Sequence, residues 1–227
     1  MRTDPMFHLK TKKKLTKEQK VTIGLIVTGI LSILLVLITI YGQFTGTFVI
    51  KLTHTAEKKG IKLSQTDSFL EKTEKLVLNP VSDTEDMIEE NIVRIGEILQ
   101  SEGGQYEDPD GNENYIAYTF FLKNVGEEVV NIKYHFRIVS QQRNLDDATM
   151  IIFYEHSTTG EPPIKTYYFK EDDDNYLGGK EIMNFEVGEI RKFTLIVFVD
   201  GNRSSPDMLG GAVKINLIFN IETAEAA

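Results

Sequence analysis

The sequence predicts a mainly β protein: an N-terminal transmembrane helix followed by an antiparallel β-sandwich, immunoglobulin-like or jelly-roll in type, with a short helical insertion. Three observations lead to this prediction. Residues 21–41 form an apolar run that contains no charged residue. After it come about seven strand candidates: three alternate apolar and polar residues with the period of two that a β-strand requires, and four are rich in β-branched and aromatic residues. Between the first of these strands and the others, residues 82–101 have apolar residues at helical spacing instead.

The apolar run is long enough to be a membrane anchor. A helix rises about 1.5 Å per residue and the hydrocarbon core is about 30 Å thick, so about 20 residues span it. A secretory signal has a shorter apolar region and ends at a small-x-small cleavage site. Ile40 and Phe44 stand where cuts after Gly42 and Gly46 require a small residue. We therefore expect an uncleaved signal-anchor helix over 21–42. Cleavage at this poor site, or a buried helix of a soluble domain, are the alternatives.

Charge predicts how the anchor is oriented. Residues 1–20 hold seven basic and two acidic residues, a net charge of +5. Because basic flanks stay in the cytoplasm, we expect a cytoplasmic basic tail over 1–20 and an extracytoplasmic domain over 43–227. The remainder of the chain has 18 basic and 32 acidic residues, a net charge of −14. That charge repels nucleic acid and anionic lipid head groups. The expected partners are the membrane, through one span, and another surface protein or further copies of the chain, with no nucleic acid.

The chain contains no cysteine. A secreted domain with a thin core normally uses disulfides, so this domain must depend on packing, with or without a metal ion. The composition is more typical of a Gram-positive bacterial surface than of an animal ectodomain. We therefore predict a single-pass protein of the cell membrane whose C-terminal domain is extracellular.

Alternation of apolar and polar residues is clearest in residues 130–138. One face has Val130, Ile132, Tyr134, Phe136 and Ile138, and the other has Asn131, Lys133, His135 and Arg137. Segments 192–200 and 212–222 have the same period, and runs rich in β-branched and aromatic residues occupy 45–54, 114–124, 149–156 and 164–170. Strands with one buried and one wet face are typical of an antiparallel sandwich, and strand addition at a sheet edge is the expected mode of assembly.

Residues 82–100 interrupt the strand pattern. Ser82 and Glu85 have the spacing of a capping box, and the apolar residues that follow predict a helix, or two short helices around Gly96. Residues 64–75 are a weaker helical candidate. We expect the excursion over about 82–101 to cover an exposed sheet edge.

The segment DPDGNEN, residues 108–114, is the sharpest candidate for a metal site. It contains four oxygen donors at alternate positions, the spacing of the start of an EF-hand loop: Asp108, Asp110, Asn112 and Asn114. It departs from that loop at Glu113, where glycine is expected, and at Thr119, where a bidentate glutamate is expected. It is therefore either a Ca²⁺ site completed by a carboxylate from 171–175 or 146–147, or a polar Asp-Gly turn before a strand.

Catalytic motifs are missing from the sequence. The four histidines do not form an HExxH or other ligand-spaced pair, there is no G-x-S-x-G elbow, and a thiol nucleophile is excluded. We therefore predict no catalytic and no cofactor-binding residues. A Ser, His and Asp brought together in space stay possible. The alternative is a metal-dependent peptidase that uses His135 or His156 with acidic loop residues.

Two segments resemble known surface proteins: NYIAYTFFLKNVGEE, from residue 114, and FVDGNRSSPDMLGGAVKINLIFN, from residue 198. With the anchor, they resemble single-pass, cysteine-free exported proteins of Firmicutes, and more distantly the camelysin and TasA type of β-sandwich surface and biofilm-fibre protein. The resemblance covers residues 115–221. It implies a structural role, or the metallopeptidase activity with which camelysins have been classed. No metal-ligand motif is available here to carry that activity over. We therefore expect a non-enzymatic module that binds or assembles with other proteins at a bacterial surface.

Overall fold

The computed structural model describes residues 16–44, 46–171 and 174–221. They fall into two units that divide between Gln43 and Phe44, close to the predicted boundary. The basic tail before residue 16 lies outside the described residues.

The first unit is one helix, α1, Lys17–Phe44, which contains the predicted 21–42 segment. Its part Lys17–Val36 is long and apolar enough to cross a membrane, as a signal sequence also is. Hydroxyl groups in this part are satisfied inside the helix: Thr28 donates to the carbonyl of Gly24 and Ser32 to that of Thr28. Such bonds let polar residues lie in an apolar segment without an unpaired donor.

The second unit consists of two β-sheets. Sheet A has the strand order β3-β1-β11-β6-β9, with β1 Thr47–Leu52, β3 Lys75–Val77, β6 Val130–Gln142, β9 Tyr176–Phe185 and β11 Ala212–Ile221. Sheet B has the order β2-β5-β10-β7-β8, with β2 Ile61–Ser64, β5 Tyr115–Asn124, β7 Thr149–Glu155, β8 Ile164–Tyr168 and β10 Ile190–Val199; β4, Gly104–Gln105, also pairs with β5. The prediction of a mainly β, sandwich-like protein is confirmed at this level.

One strand pair departs from the predicted antiparallel arrangement. β1 runs parallel to β11, with Phe48 opposite Ile215 and Leu52 opposite Phe219. Parallel neighbours need a long connection rather than a hairpin, and here most of the domain lies between the two strands in sequence. The short helix α2, His54–Lys58, follows β1 and carries the chain towards β2 in the other sheet; Thr53 caps it by accepting from the Ala56 N–H.

Aromatic side chains fill the space between the two sheets. In β6 every residue predicted to face inward is buried, and Tyr134 and Phe136 have no exposed surface. Phe193 of β10 stacks on Phe120 and Phe153 with ring centroids 5.4 and 5.5 Å apart. Burial of a side chain of this size contributes about 1.5–3 kcal/mol, so this layer holds the sheets together without disulfides.

The outer face of sheet B is also buried. Met87, Ile92 and Ile98 pack against outward residues of β5, β7 and β10 and form a second apolar cluster. We call residues 82–114, which supply this layer, the cover. The excursion therefore covers mainly a sheet face rather than an edge, although its Glu89 also bonds Lys165 and Tyr167 of the edge strand β8.

Both helix predictions need correction. The cover contains only a 3₁₀ helix, Glu89–Asn91, and a short helix α3, Ile95–Gln100, which includes Gly96 instead of breaking there. No helix begins at Ser82, since Asp83 has a φ of 56° and the Met87 N–H bonds the carbonyl of Val199, the last residue of β10. Residues 64–75 are not helical either. They link β2 to β3 and pair back on β2 at Thr73.

Candidate functional site

The outer face of sheet A differs from that of sheet B because its side chains reach the surface. We call this surface, the outward residues of β1, β3, β6, β9 and β11, the basic face. Its cations are Lys51, Lys75, Lys133, Arg137 and Lys214, and its one acidic residue is Glu181. All of them are half-buried or exposed. The face therefore carries a net charge of +4 in a domain whose total charge is strongly negative.

Strand register brings these cations together. Lys75 lies opposite Lys51, Lys51 opposite Ile218, and Ile218 opposite His135, which makes one continuous row across four strands. The neighbouring row contains Val77, Val49, Asn216, Arg137 and Tyr176. Neighbouring strands are about 4.8 Å apart, so apolar side chains at the centre of the face lie among the lysines and Arg137.

The pKa of His135 reflects the positive charges around it. Its pKa is lowered, first by partial burial and then by the charges of Arg137, Lys133 and Lys51. Lys133 pairs with Glu181 across β6 and β9 at 3.4 Å. The surplus of cations over carboxylates on this face favours an acidic partner surface.

A shallow cleft of about 280 Å³ lies at one end of the basic face. His135, Arg137, Asp174, Asn175 and Tyr176 line it, and the rings of His135 and Tyr176 are 5.9 Å apart. Tyr176 is 47% exposed, which leaves an aromatic ring available for contact. Aromatic and arginine side chains are the residues most enriched at the centre of protein interfaces.

The predicted calcium loop is held together by hydrogen bonds. Asp110 accepts from the Arg94 guanidinium at 2.6 and 3.0 Å. Asp108 accepts from the Tyr115 hydroxyl at 2.7 Å and from the backbone of Asp110. Asn112 accepts from the Asn114 N–H, and Asn114 accepts from the Glu85 N–H. Each of the four side chains proposed to bind Ca²⁺ therefore already accepts a hydrogen bond through its oxygen. The Arg94 guanidinium lies beside the two aspartates, where the Ca²⁺ ion would be expected.

Arg94 is the residue that organises this loop. It also binds Glu97 at 2.7 Å and lies 3.6 Å from Asp108. Hydrogen bonds with Asp110 and then Glu97 raise the pKa of Arg94. The geometry is that of the Asp-Gly turn, with Gly111 at a φ of 72° and its N–H bonded to the Asp108 carbonyl. Calcium binding stays a prediction.

The carboxylates expected to complete the calcium site have partners of their own. Lys170 bonds Asp146 and Asp147, each at 2.8 Å, and its pKa is raised chiefly by the hydrogen bond to Asp146. Of the acidic run 171–175, residues 172 and 173 lie outside the described residues. In the described ranges, no group of three His, Cys, Asp or Glu residues is arranged to hold a metal ion.

The two histidines of the peptidase alternative lie on opposite sides of the sandwich. His135 is on the outer face of sheet A, whereas His156 follows β7 and bonds Thr194 of β10 at 2.9 Å on the outer side of sheet B. Burial, and secondarily Lys192, lowers the pKa of His156 to about 4. The fold does not bring the two histidines into one site.

The sheet edges oppose strand addition. β3 and β2 have only three and four residues. β9 has two register irregularities against β6, and Asn184 within it has a φ of 53°. Lys165 and Tyr167 of β8 are both bonded by Glu89 of the cover. Short, bulged and side-chain-pinned edges are the usual means by which proteins prevent such pairing.

Sequence reasoning missed Lys51, Lys75, Lys214 and Tyr176. A signal was present, since Lys51, Lys133, Arg137 and Lys214 occupy polar positions of predicted strands although the chain is acidic overall. β9 itself was not predicted, because its glycine pair interrupts the alternation of apolar and polar residues. Gly178 and Gly179 lie within β9, and a Cβ on Gly178 would be 2.8 Å from the ring of Tyr168.

A comparison of the chain with protein-family models gives no match, and a comparison with curated proteins gives none either. The resemblance to camelysin and TasA-type surface proteins therefore stays a prediction. Assignment of function depends on the chain's own residues.

Proposed function

We propose that the chain is a membrane-anchored, extracytoplasmic β-sandwich protein that binds or assembles with other proteins at a bacterial cell surface and has no catalytic activity. The observation that carries the proposal is the basic face. It combines a solvent-exposed sheet face, apolar side chains at its centre and a surplus of cations, whereas the opposite face of the sandwich is already covered. Such a surface suits a protein partner of complementary charge.

The membrane part of the proposal is supported by α1 and by the charge of the N-terminal residues. A helix of this length and hydropathy spans a bilayer. The basic residues that precede it favour a cytoplasmic N-terminus and an extracellular C-terminal domain. In this proposal the helix is retained as an anchor and the sandwich is of immunoglobulin-like or jelly-roll type.

The absence of catalysis is supported by the partners of the candidate groups. In the described part of the chain, Asp110 bonds Arg94 and Asp146 bonds Lys170, and His135 and His156 lie on different sheets. Asp174 lines the cleft beside His135, but the described residues bring no third metal-ligating group to it. A peptidase needs its metal ligands, or its nucleophile and base, within reach of one bond. Cleavage of casein by the purified protein that is lost in EDTA would instead establish the metallopeptidase alternative.

Site-specific photocrosslinking tests the proposal. A photoreactive phenylalanine analogue replaces Tyr176 on the basic face of the full chain in living cells. Val187, in the loop between β9 and β10, is the control, because it lies away from the basic face and the cover and is 52% exposed, compared with 47% for Tyr176. We expect the analogue at position 176 to form discrete protein adducts, and the analogue at 187 to form few.

Two results would contradict the proposal. One is adducts with lipid alone at position 176. The other is the same adducts at both positions, which would show that capture does not depend on the basic face. Membrane levels of both variants, measured by immunoblot, control for folding.

A further inference from the structure

The cover is the most acidic part of the molecule. Residues 82–114 hold eleven acidic residues and one basic residue, Arg94, a net charge of −10. Nine of the eleven are exposed: Asp83, Glu85, Asp86, Glu90, Glu97, Glu102, Glu107, Asp110 and Glu113. The cover thus holds eleven of the 32 acidic residues that follow residue 20, with a single basic residue among them.

The basic face lies on the opposite side. The cover packs on the outward residues of sheet B, while the basic face consists of the outward residues of sheet A, and the shared core separates the two sheets. The basic face is therefore charged +4, and the cover, whose charge of −10 is reduced by Lys165 and Lys192 that bond it from sheet B, is charged −8. When a second copy of the domain is related to the first by translation alone, the cover of one copy faces the basic face of the other.

We propose that the basic face binds the cover of a second copy of the chain, so that anchored copies associate head to tail in an open row. The inference rests on the proposed function and names the partner of its binding surface. Contact between two different surfaces of one protein is heterologous, and it extends without closing unless a rotation brings the row back on itself. Copies held in one membrane also meet at a raised effective concentration, which helps weak contacts to form.

Salt decides whether such an association is favourable. Two domains of charge −14 repel each other, but the Debye length at physiological ionic strength is about 8 Å. Charges on the far sides of the two domains are then screened, and the cations and carboxylates at the contact dominate. We expect association at physiological salt and its loss in several-fold higher salt, because the contact charges are then screened as well.

The absence of cysteine permits a direct test with the full chain in its membrane. Single cysteines are introduced by Val77→Cys on the basic face and Val93→Cys on the cover, where the parent residues are 52% and 82% exposed. The two variants carry different tags and are co-expressed, and intact cells are treated with a short bis-maleimide. We expect about tenfold more Val77–Val93 adduct than adduct between two copies of either variant, a ratio equivalent to about 1.4 kcal/mol.

Val187→Cys is the matched control, since Val187 lies in the loop between β9 and β10 and is also 52% exposed. It should give little adduct with Val93→Cys. Charge reversal on the face, by Lys75→Glu with Arg137→Glu, should reduce the face-to-cover adduct about tenfold, and Glu90→Lys with Glu102→Lys on the cover of the partner should restore it. If the adduct is restored, misfolding of the charge-reversed variant cannot have caused the loss of the adduct.

Other outcomes overturn the inference. Adducts between two basic faces would indicate a closed dimer, and equal adducts for all pairs would indicate random collision. A Val77 cysteine that captures only a different protein would overturn the second copy as partner and leave the proposed function standing. Capture of no protein, together with lipid-only adducts from position 176, would overturn both.

Discussion

The outer faces of the two sheets differ in their exposure to solvent. Sheet B directs Tyr115, Ile152 and Phe198 outward, and the cover buries them. Sheet A directs Lys133, His135 and Arg137 outward, and they stay in contact with solvent. The difference shows that the two outer faces have different roles. That of sheet B adds to the apolar core, and that of sheet A forms a charged surface.

This division also separates stability from binding. Apolar contacts on the outer face of sheet B add to the free energy of unfolding, whereas cations that face water contribute little to it. Substitutions on the two faces should therefore have effects of very different size. The predictions that follow test that difference, beginning with the largest expected effect.

Two isoleucines allow the most direct comparison. Ile98 is fully buried in the cover, whereas Ile218 of β11 is half-buried on the basic face. We expect Ile98→Ala to lower the free energy of unfolding by about 3–4 kcal/mol and Ile218→Ala to lower it by about 1 kcal/mol or less. Denaturant unfolding measures both values. Equal losses would show that the cover is not part of the core.

Two glycines sharpen the comparison. Gly178 of β9 has a φ of 122° and lies against the ring of Tyr168, so Gly178→Ala should cost about 2–3 kcal/mol. Gly96 of α3 in the cover has open space around its missing Cβ, and Gly96→Ala should stabilise by up to about 1 kcal/mol. Thermal unfolding of both variants gives the two signs. A stable Gly178→Ala variant would contradict the packing described for β9.

The histidine beside the cover predicts how stability depends on pH. The pKa of His156 falls to about 4 in the folded chain, from about 6.5 when unfolded. The unfolded chain thus binds the proton more tightly, so stability is fully present above pH 6.5 and is lost as the pH falls towards 4. Because the side chain is only partly buried, we expect a loss of about 2 kcal/mol.

His156→Gln should remove this part of the pH dependence and keep a partner for Thr194. The free energy of unfolding of both proteins is measured from denaturant unfolding curves between pH 7 and pH 4. An unchanged slope in the variant would place the acid sensitivity elsewhere.

Calcium tests whether Arg94 or a metal ion organises the loop of residues 108–114. We expect about 1 mM calcium to leave the melting temperature of the parent protein unchanged, because the Arg94 guanidinium already bonds Asp110. In Arg94→Gln we expect a lower melting temperature, and calcium should raise it again, since the carboxylates then lack their cation. A calcium shift in the parent that Asp110→Ala abolishes would instead restore the predicted ion site.

The smallest effect is expected on the basic face. Arg137→Gln should change the free energy of unfolding by no more than about 0.5 kcal/mol. It should nevertheless raise the pKa of His135, because a neighbouring positive charge that disfavours the imidazolium is removed. NMR titration of His135 reads out this rise. An unchanged pKa would contradict the mutual influence of the cations on this face.

The face of sheet A could be predicted from the sequence in some detail. Strict alternation in β6 identified its inward residues, and all five are buried. β5, β7 and β10 were located too, but their nearly continuous apolar runs, such as FTLIVFV in β10, indicate burial on both faces. Period alone says which residues avoid water and does not say which distant segment covers them.

The candidate sites were predictable only as groups of residue types. The spacing of Asp108 and Asp110 fits a calcium loop as well as an arginine-bound turn. The choice depends on Arg94, which lies fourteen residues before Asp108 and reaches it because α3 packs on sheet B. Lys51, Lys75 and Lys214 likewise come together only through the pairing of β1 with β3 and β11.

Residue order alone predicts the apolar N-terminal helix, a core that uses no disulfides, and the strands of a mainly β domain, because hydropathy and its period are local properties of the chain. Only the folded chain shows that residues 82–114 cover a sheet face, that Arg94 engages the acidic loop, and that positive and negative charge separate onto opposite sides. These features depend on contacts between segments far apart in sequence, which strand register and packing alone bring together.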